Sequence, residues 1–151
     1  MIAKNELVAK FASYSPHVDS SPIDRAWEFA KKAHAHQARA SGDEYISHCA
    51  AVAESLVEWR MDLPTVCAGL MHDTLEDTPT TEAQLRAEFG SEIAMLVMGV
   101  TKIDALKFES RDDAQAENWR KMLLATAQDI RVIVVKLADR LHNMKTLNFL
   151  S

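Results

Sequence analysis

Apolar residues recur along this chain at spacings of three and four, and that period predicts helices nearly throughout. Ile23, Ala26, Trp27, Ala30 and Ala33 make one stripe. Ile46, Cys49, Ala50, Ala53, Leu56 and Val57 make a second, and Val66, Cys67, Leu70 and Met71 a third that runs toward Asp77. The ends carry their own chemistry. Ser21-Pro22 reads as a cap followed by a helix start, and Pro64 opens another helix. Pro79 limits it, because the residue before proline avoids helical geometry. Thr81 with Gln84 fits a capping box, and Gly90 a helix stop. A helix follows over residues 93–103, then a polar loop near 107–113, and helices from about residues 114 and 130 finish the chain. Residues 130–135 are rich in β-branched side chains, the composition of a strand. No other run could pair with them, and the helical period continues through Ile133, Leu137, Leu141 and Met144. A helix apolar over most of its circumference is a buried, central one. The expected fold is an all-α helical bundle, one domain over residues 1–151, with residues 1–20 as a peripheral N-terminal arm.

Composition narrows the classes. The chain has 151 residues, enough to bury a sizeable core. With only 4 Gly and 4 Pro, no low-complexity stretch and no repeat, nothing marks a linker or a second domain. The net charge of −5 argues against a nucleic-acid surface, which needs a basic patch. A small polyanionic substrate needs only local positive charge. No apolar run is long enough to span a bilayer, and the opening residues lack the pattern of a signal peptide. Cys49 and Cys67 fall on apolar faces and read as reduced thiols of a cytoplasmic protein. Oligomeric state is not legible.

Two clusters carry chemistry. In His72-Asp73-Thr74-Leu75-Glu76-Asp77, helical spacing puts His72 with Glu76 and Asp73 with Asp77. Three carboxylates so close repel unless a cation sits among them. The hexapeptide is either a metal-binding segment with two further proton-handling groups or a solvated acidic helix end. On the last helix, Lys136, Asp139, Arg140, Asn143 and Thr146 form a polar stripe. It is either an internal ion pair of Asp139 with Lys136 or Arg140, or a carboxylate for a metal beside groups facing an anion. The ion pair alone leaves Asn143 and Thr146 without a task. His48, at a helix start, is either a packing residue or a ligand. His17, His34 and His36 take the packing reading, and His142 lies close to the stripe. Together His48, His72, Asp73 and Asp139 would make a mixed nitrogen and oxygen site for Mn²⁺, Fe²⁺ or Zn²⁺, with positions left for water and phosphate.

The blocks AHAHQARASGDEYISH, LMHDTLEDTP, FGSEIAMLVMGVTKID and AQAENWRKMLLATAQDIRVIVVKLADRLHNMKTL resemble the HD-type hydrolase domain of the Rel/Spo alarmone enzymes of the stringent response. The likeness is to the N-terminal part of the long bifunctional members and runs from about Ala33 to the end. It implies an HD-domain bundle around a central metal site and a (p)ppGpp 3′-pyrophosphohydrolase giving pyrophosphate with GDP or GTP. His48, His72, Asp73 and Asp139 match the family's ligands, with Mn²⁺ the usual ion. Glu76 and Asp77 match the pair that activates water and assists the leaving group. Arg39 and Ser41 match the substrate loop, Arg39 lying against guanine, and Asn143 and Thr146 match positions around the nucleotide.

Three features depart from the family pattern. Ala40 stands where many relatives carry a basic or polar residue. Asp43-Glu44 replaces a common Glu-Pro, and Cys49 follows His48 where proline is usual. The family's further C-terminal helices are expected to be missing. The rival readings are an HD phosphohydrolase acting on another nucleotide and a non-catalytic alarmone-binding fragment.

Overall fold

The computed structural model describes residues 1–104, 115–117, 119, 120, 124 and 128–147. Eight helices are defined there: α1 Lys4–Tyr14, α2 Ser21–Ala33, α3 Ile46–Glu58, α4 Leu63–Met71, α5 Thr74–Asp77, α6 Glu82–Phe89, α7 Ser91–Asp104 and α8 Arg131–Lys145. Among the described residues no strand forms; a lone antiparallel bridge joins Ala38 to Glu44. The all-α expectation holds. The polar loop expected near 107–113 and the start of a helix at 114 lie outside the described residues.

The bundle is arranged around α4. Residues Thr65 to Met71 are all buried, and the helix packs against α2, α3, α7 and α8. Its start is fixed by Asp62, whose carboxylate accepts the Thr65 backbone N–H at 3.1 Å, with Pro64 in the first turn. Gly69 lets α3 approach, since a Cβ there would run into the Leu56 side chain. Gly99 does the same between α7 and α8: a Cβ would lie 2.7 Å from Val132 Cγ2. These close approaches bring the helices bearing His48, His72 and Asp139 to one point.

The capping box at Thr81 and Gln84 forms as expected, and Gly90 ends α6 with φ 89°. Four expectations change. Ser21 is the first residue of α2 and not its cap; Ser20 holds that position and makes no side-chain cap bond. Residues 1–20 are more than an arm, because α1 buries Leu7 and Phe11 completely against the rest of the core. Each such side chain contributes on the order of 1.5–3 kcal/mol. The segment from Pro64 to Asp77 is two helices, because His72 and Asp73 form a turn between α4 and α5. Finally, α8 buries only Val132, Val135, Ala138 and Asp139, while Leu137 and Met144 are exposed. It flanks the core instead of running through its centre.

Candidate active site and metal centre

His72 stands at the end of α4 with no solvent exposure. Its Nδ1 lies 2.7 Å from the Gly69 carbonyl. A carbonyl can only accept, so Nδ1 carries a hydrogen and Nε2 is the atom presented to the site. Nε2 is 3.0 Å from Asp73 Oδ2 and 3.2 Å from Asp139 Oδ1. His48, in the first turn of α3, brings its Nε2 to 2.8 Å from Asp139 Oδ1 and 3.8 Å from Asp73 Oδ2. Ligand atoms of His48, His72, Asp73 and Asp139 all lie within 4.8 Å of one another, and all four residues are buried. Two imidazole nitrogens and two carboxylates converging in a buried space are the donor set of a divalent cation.

The supports around these donors have the form metal ligands need. Tyr45 donates its hydroxyl hydrogen to Asp73 Oδ2 at 2.6 Å and lies 3.5 Å from Asp77 Oδ2. Lys136 donates to Asp139 Oδ2 at 2.9 Å and also pairs with Asp104. The Nδ1 of His48 is 2.6 Å from Nδ1 of His142. Burial, with His48 and Arg39 nearby, pushes His142 down to about 4, so its ring is neutral and able to accept that bond. The expected ion pair of Asp139 with Lys136 forms through Oδ2, and Oδ1 is left facing the two imidazoles. Arg140 is exposed and makes no part of that pair.

The four candidate donors shift one another's ionisation. Burial disfavours ionisation of Asp73, but His72 and Tyr45 more than offset it and hold the carboxyl down at about 2. Burial opposes Asp139 too, and His48, His72 and Lys136 hold it well below the carboxylate range. Burial lowers His48. It also acts to lower His72, but Asp73 and Asp139 reverse that and raise the imidazole from 6.5 to about 10. The His72 contribution to folding is thus complete below its ordinary value and is lost as pH rises through about 10. A proton on His72 and a cation compete for one lone pair. Divalent-ion binding is therefore expected to release close to one proton at neutral pH, with apparent affinity rising by up to about tenfold per pH unit. Calorimetry in buffers of different ionisation enthalpy measures this, and an ion taken up with no proton release would contradict the ligand role of His72.

Glu76 and Asp77, on α5, are exposed at the rim. A Glu76 oxygen lies within 4.8 Å of ligand oxygens of Asp73 and Asp104. Partial burial, Asp104 and Asp77 raise the Glu76 carboxyl above its usual value; burial and Asp73 raise Asp77. Both are outside the four-donor cluster.

Beside the cluster opens a cleft of about 510 Å³ whose lining includes Arg39, Ser41, Tyr45, Arg140, Asn143 and Thr146. Arg39 donates to Asn143 Oδ1 at 2.9 Å and to Thr146 Oγ1 at 3.4 Å. Asn143 in turn donates to Asp139 Oδ1 at 3.4 Å. Tyr45 and Asn143 therefore wall both the cleft and the donor cluster. Ser41 lines the cleft while its hydroxyl donates to Asp43 at 2.8 Å. All ten residues singled out from sequence gather in this one region. Tyr45 and Asp104 were missed. The signal for Tyr45 is a phenol in the loop leading to His48, and nothing local separates it from a packing tyrosine.

A family model for the HD domain matches residues 26–150, most of the chain. The chain belongs to the HD domain family. The sequence is 49% identical over 138 residues to the bifunctional (p)ppGpp synthase/hydrolase SpoT of Escherichia coli K12, covering 91% of this chain and 20% of that protein. It is 53% identical over 121 residues to a guanosine-3′,5′-bis(diphosphate) 3′-pyrophosphohydrolase of Haemophilus influenzae, covering 80% of this chain and 18% of that one. This HD domain thus spans about a fifth of the length of those curated relatives. Among solved structures, a metazoan ortholog of SpoT that hydrolyzes ppGpp superposes with a TM-score of 0.70 at 27% identity, over 87% of this chain and 72% of that one. No helix among the described residues is long and apolar enough to cross a membrane.

Proposed function

We propose that this HD domain hydrolyses the 3′-diphosphate of guanosine 3′,5′-bis(diphosphate) and of its pentaphosphate analogue, releasing pyrophosphate and GDP or GTP, with Mn²⁺ as its ion. The observation that carries this reading is the juxtaposition of the His48–His72–Asp73–Asp139 cluster with a cleft sharing Tyr45 and Asn143 as walls. The activities of the SpoT relatives support the substrate, and the mixed nitrogen and oxygen donors suit an ion such as Mn²⁺. When bound, a divalent ion supplies Lewis acidity to the scissile phosphoryl group.

The chain's own residues do the rest. Arg39 lays its planar guanidinium against the guanine, a contact lysine makes poorly. Ser41, Asn143 and Thr146 hydrogen-bond the nucleotide. Water adds to the phosphorus next to the 3′ oxygen, its proton passes to the Glu76–Asp77 pair, and the 3′ oxygen leaves with a proton returned from that pair. The raised carboxyls of Glu76 and Asp77 suit a pair that must both take and give a proton. The reading places the protein in the cytoplasm, where Cys49 and Cys67, both free and buried, stay reduced.

The test is product analysis with Mn²⁺ and guanosine tetraphosphate, beside GTP, deoxynucleoside monophosphates and cyclic nucleotides. Pyrophosphate and GDP are expected, with little orthophosphate and little turnover of the other compounds. Arg39→Ala should raise KM about tenfold, the scale of one lost stacking contact of 1–2 kcal/mol. Orthophosphate as the product, or an unchanged KM in Arg39→Ala, would count against the scheme.

A further inference from the structure

His34 and Gln37 take no part in the chemistry just described, yet they are tied to it. His34 caps α2 and is 2% exposed. Its ring stacks on Tyr45, with centroids 4.5 Å apart and planes at 27°. Its Nδ1 lies 3.0 Å from Gln37 Oε1, and Gln37 Nε2 lies 2.7 Å from the carbonyl oxygen of Asp77. That carbonyl can only accept, so the Gln37 amide must point its NH₂ at Asp77 and its oxygen at His34. His34 must then donate from Nδ1. The bonds run in one direction, from His34 through Gln37 to the backbone of Asp77. The other ring nitrogen, Nε2, is buried and has no partner among the described residues. An imidazole that leaves one buried nitrogen unpaired is a costly choice for simple packing, where phenylalanine would fill the space.

The far end of this chain explains what it supports. Helix α5 has four residues, too few to persist alone. Asp77 is its last residue, and Thr78 after it is already extended, so the terminal carbonyls have no partner within the helix. Gln37 supplies one. Tyr45, held by the His34 ring, supplies the hydroxyl contact to the Asp73 and Asp77 carboxylates from the other side. We propose that His34 and Gln37 are positioning residues, a clamp from the α2–α3 connection that sets where the Glu76–Asp77 pair stands relative to the reacting phosphorus. The clamp rests on the reading that this pair handles the proton.

Two near-isosteric variants test it. His34→Phe keeps a ring against Tyr45 and removes the donor; Gln37→Met keeps the length and removes both polar ends. Each is expected to lower kcat by about 10–100-fold, the scale of a slight misplacement of reacting groups, while KM and Mn²⁺ affinity change less than about threefold. Because both act through one bond chain, the double variant should lose no more than about twofold beyond the worse single one. A kcat at the wild-type level in either variant, or losses that multiply in the double variant, would overturn the clamp. So would a parallel loss of ion affinity that accounts for the rate. A readout independent of turnover accompanies this: the ¹⁵N NMR pattern of His34 should be that of the tautomer with its hydrogen on Nδ1, and the Asp77 carbonyl ¹³C resonance should move in both variants. If the wild-type protein cleaves no guanosine tetraphosphate, the proposed function fails. The resonances still decide the clamp, and an unmoved Asp77 carbonyl sinks it.

Discussion

Replacing Asp73 by alanine is expected to remove the divalent ion and the turnover together. Asp73 sits in the turn between α4 and α5, 8% exposed, with one oxygen 3.0 Å from His72 Nε2 and receiving the Tyr45 hydroxyl at 2.6 Å. The site then retains Asp139 as its only ionised donor, already engaged with Lys136. A dication in a buried space needs its charge matched, because the desolvation cost of several kcal/mol is otherwise uncompensated. The loss of affinity should exceed the roughly 10–100-fold that follows removal of a mere support of a ligand. Asp139→Ala should behave alike, since its Oδ1 lies 2.8 Å from His48 Nε2 and 3.2 Å from His72 Nε2. Asp73→Asn keeps the shape and removes the charge, so it separates electrostatics from packing and should still lose the ion. Metal content after dialysis, with a chelator competition for the residual affinity, measures all three. Full occupancy in both Asp73→Ala and Asp139→Ala would dismantle the four-residue assignment.

The same region illustrates what a sequence discloses and what it withholds. Three of the four candidate donors, His72, Asp73 and Asp139, stood out because they posed local energetic problems, carboxylates crowded in one hexapeptide and a charged stripe on an otherwise apolar helix, whereas His48 carried no such signal and entered through the family resemblance. The helices were legible from their period, and the caps from Thr81, Gln84 and Gly90. Contacts between elements leave no such trace. Tyr45 reaches Asp73 across 28 positions and Arg39 reaches Asn143 across 104, and nothing in the periodicity of either segment encodes the meeting. The turn at His72 and Asp73 was hidden for a related reason. Both residues keep right-handed helical backbone angles, so spacing arguments pass straight through it, but the ladder of hydrogen bonds is interrupted there. The face of α8 was misjudged because apolar spacing states which residues are able to be buried, whereas burial requires a neighbour. Leu137 and Met144 satisfy the first condition and are exposed. In α1 the reverse held: a segment expected to be a peripheral arm proved to be core because Leu7 and Phe11 found partners in the bundle.

Glu76→Gln is expected to separate binding from chemistry. Glu76 belongs to the group of Asp73 and Asp104, beside the four-donor cluster but not in it. The amide keeps the size of the carboxylate and cannot take a proton from water, so the ion and the nucleotide should bind as before. Turnover should fall by roughly 10²–10⁴-fold, the scale of lost general acid–base help. Its pH profile adds a second test with a fixed sign. Burial, Asp104 and Asp77 raise the Glu76 carboxyl, so it ionises at higher pH than an ordinary glutamate. A base must be ionised to act. The wild-type rate should therefore fall as pH drops through that raised value, with an acidic limb higher than an ordinary glutamate would give. In Glu76→Gln that limb should disappear or pass to Asp77, which is also raised. Asp77→Asn, compared alongside, should change the other limb, because the neighbour that returns the proton must be protonated. Full activity in Glu76→Gln, or the same acidic limb at the same pH, would place the proton on another group and leave Glu76 as a rim carboxylate only.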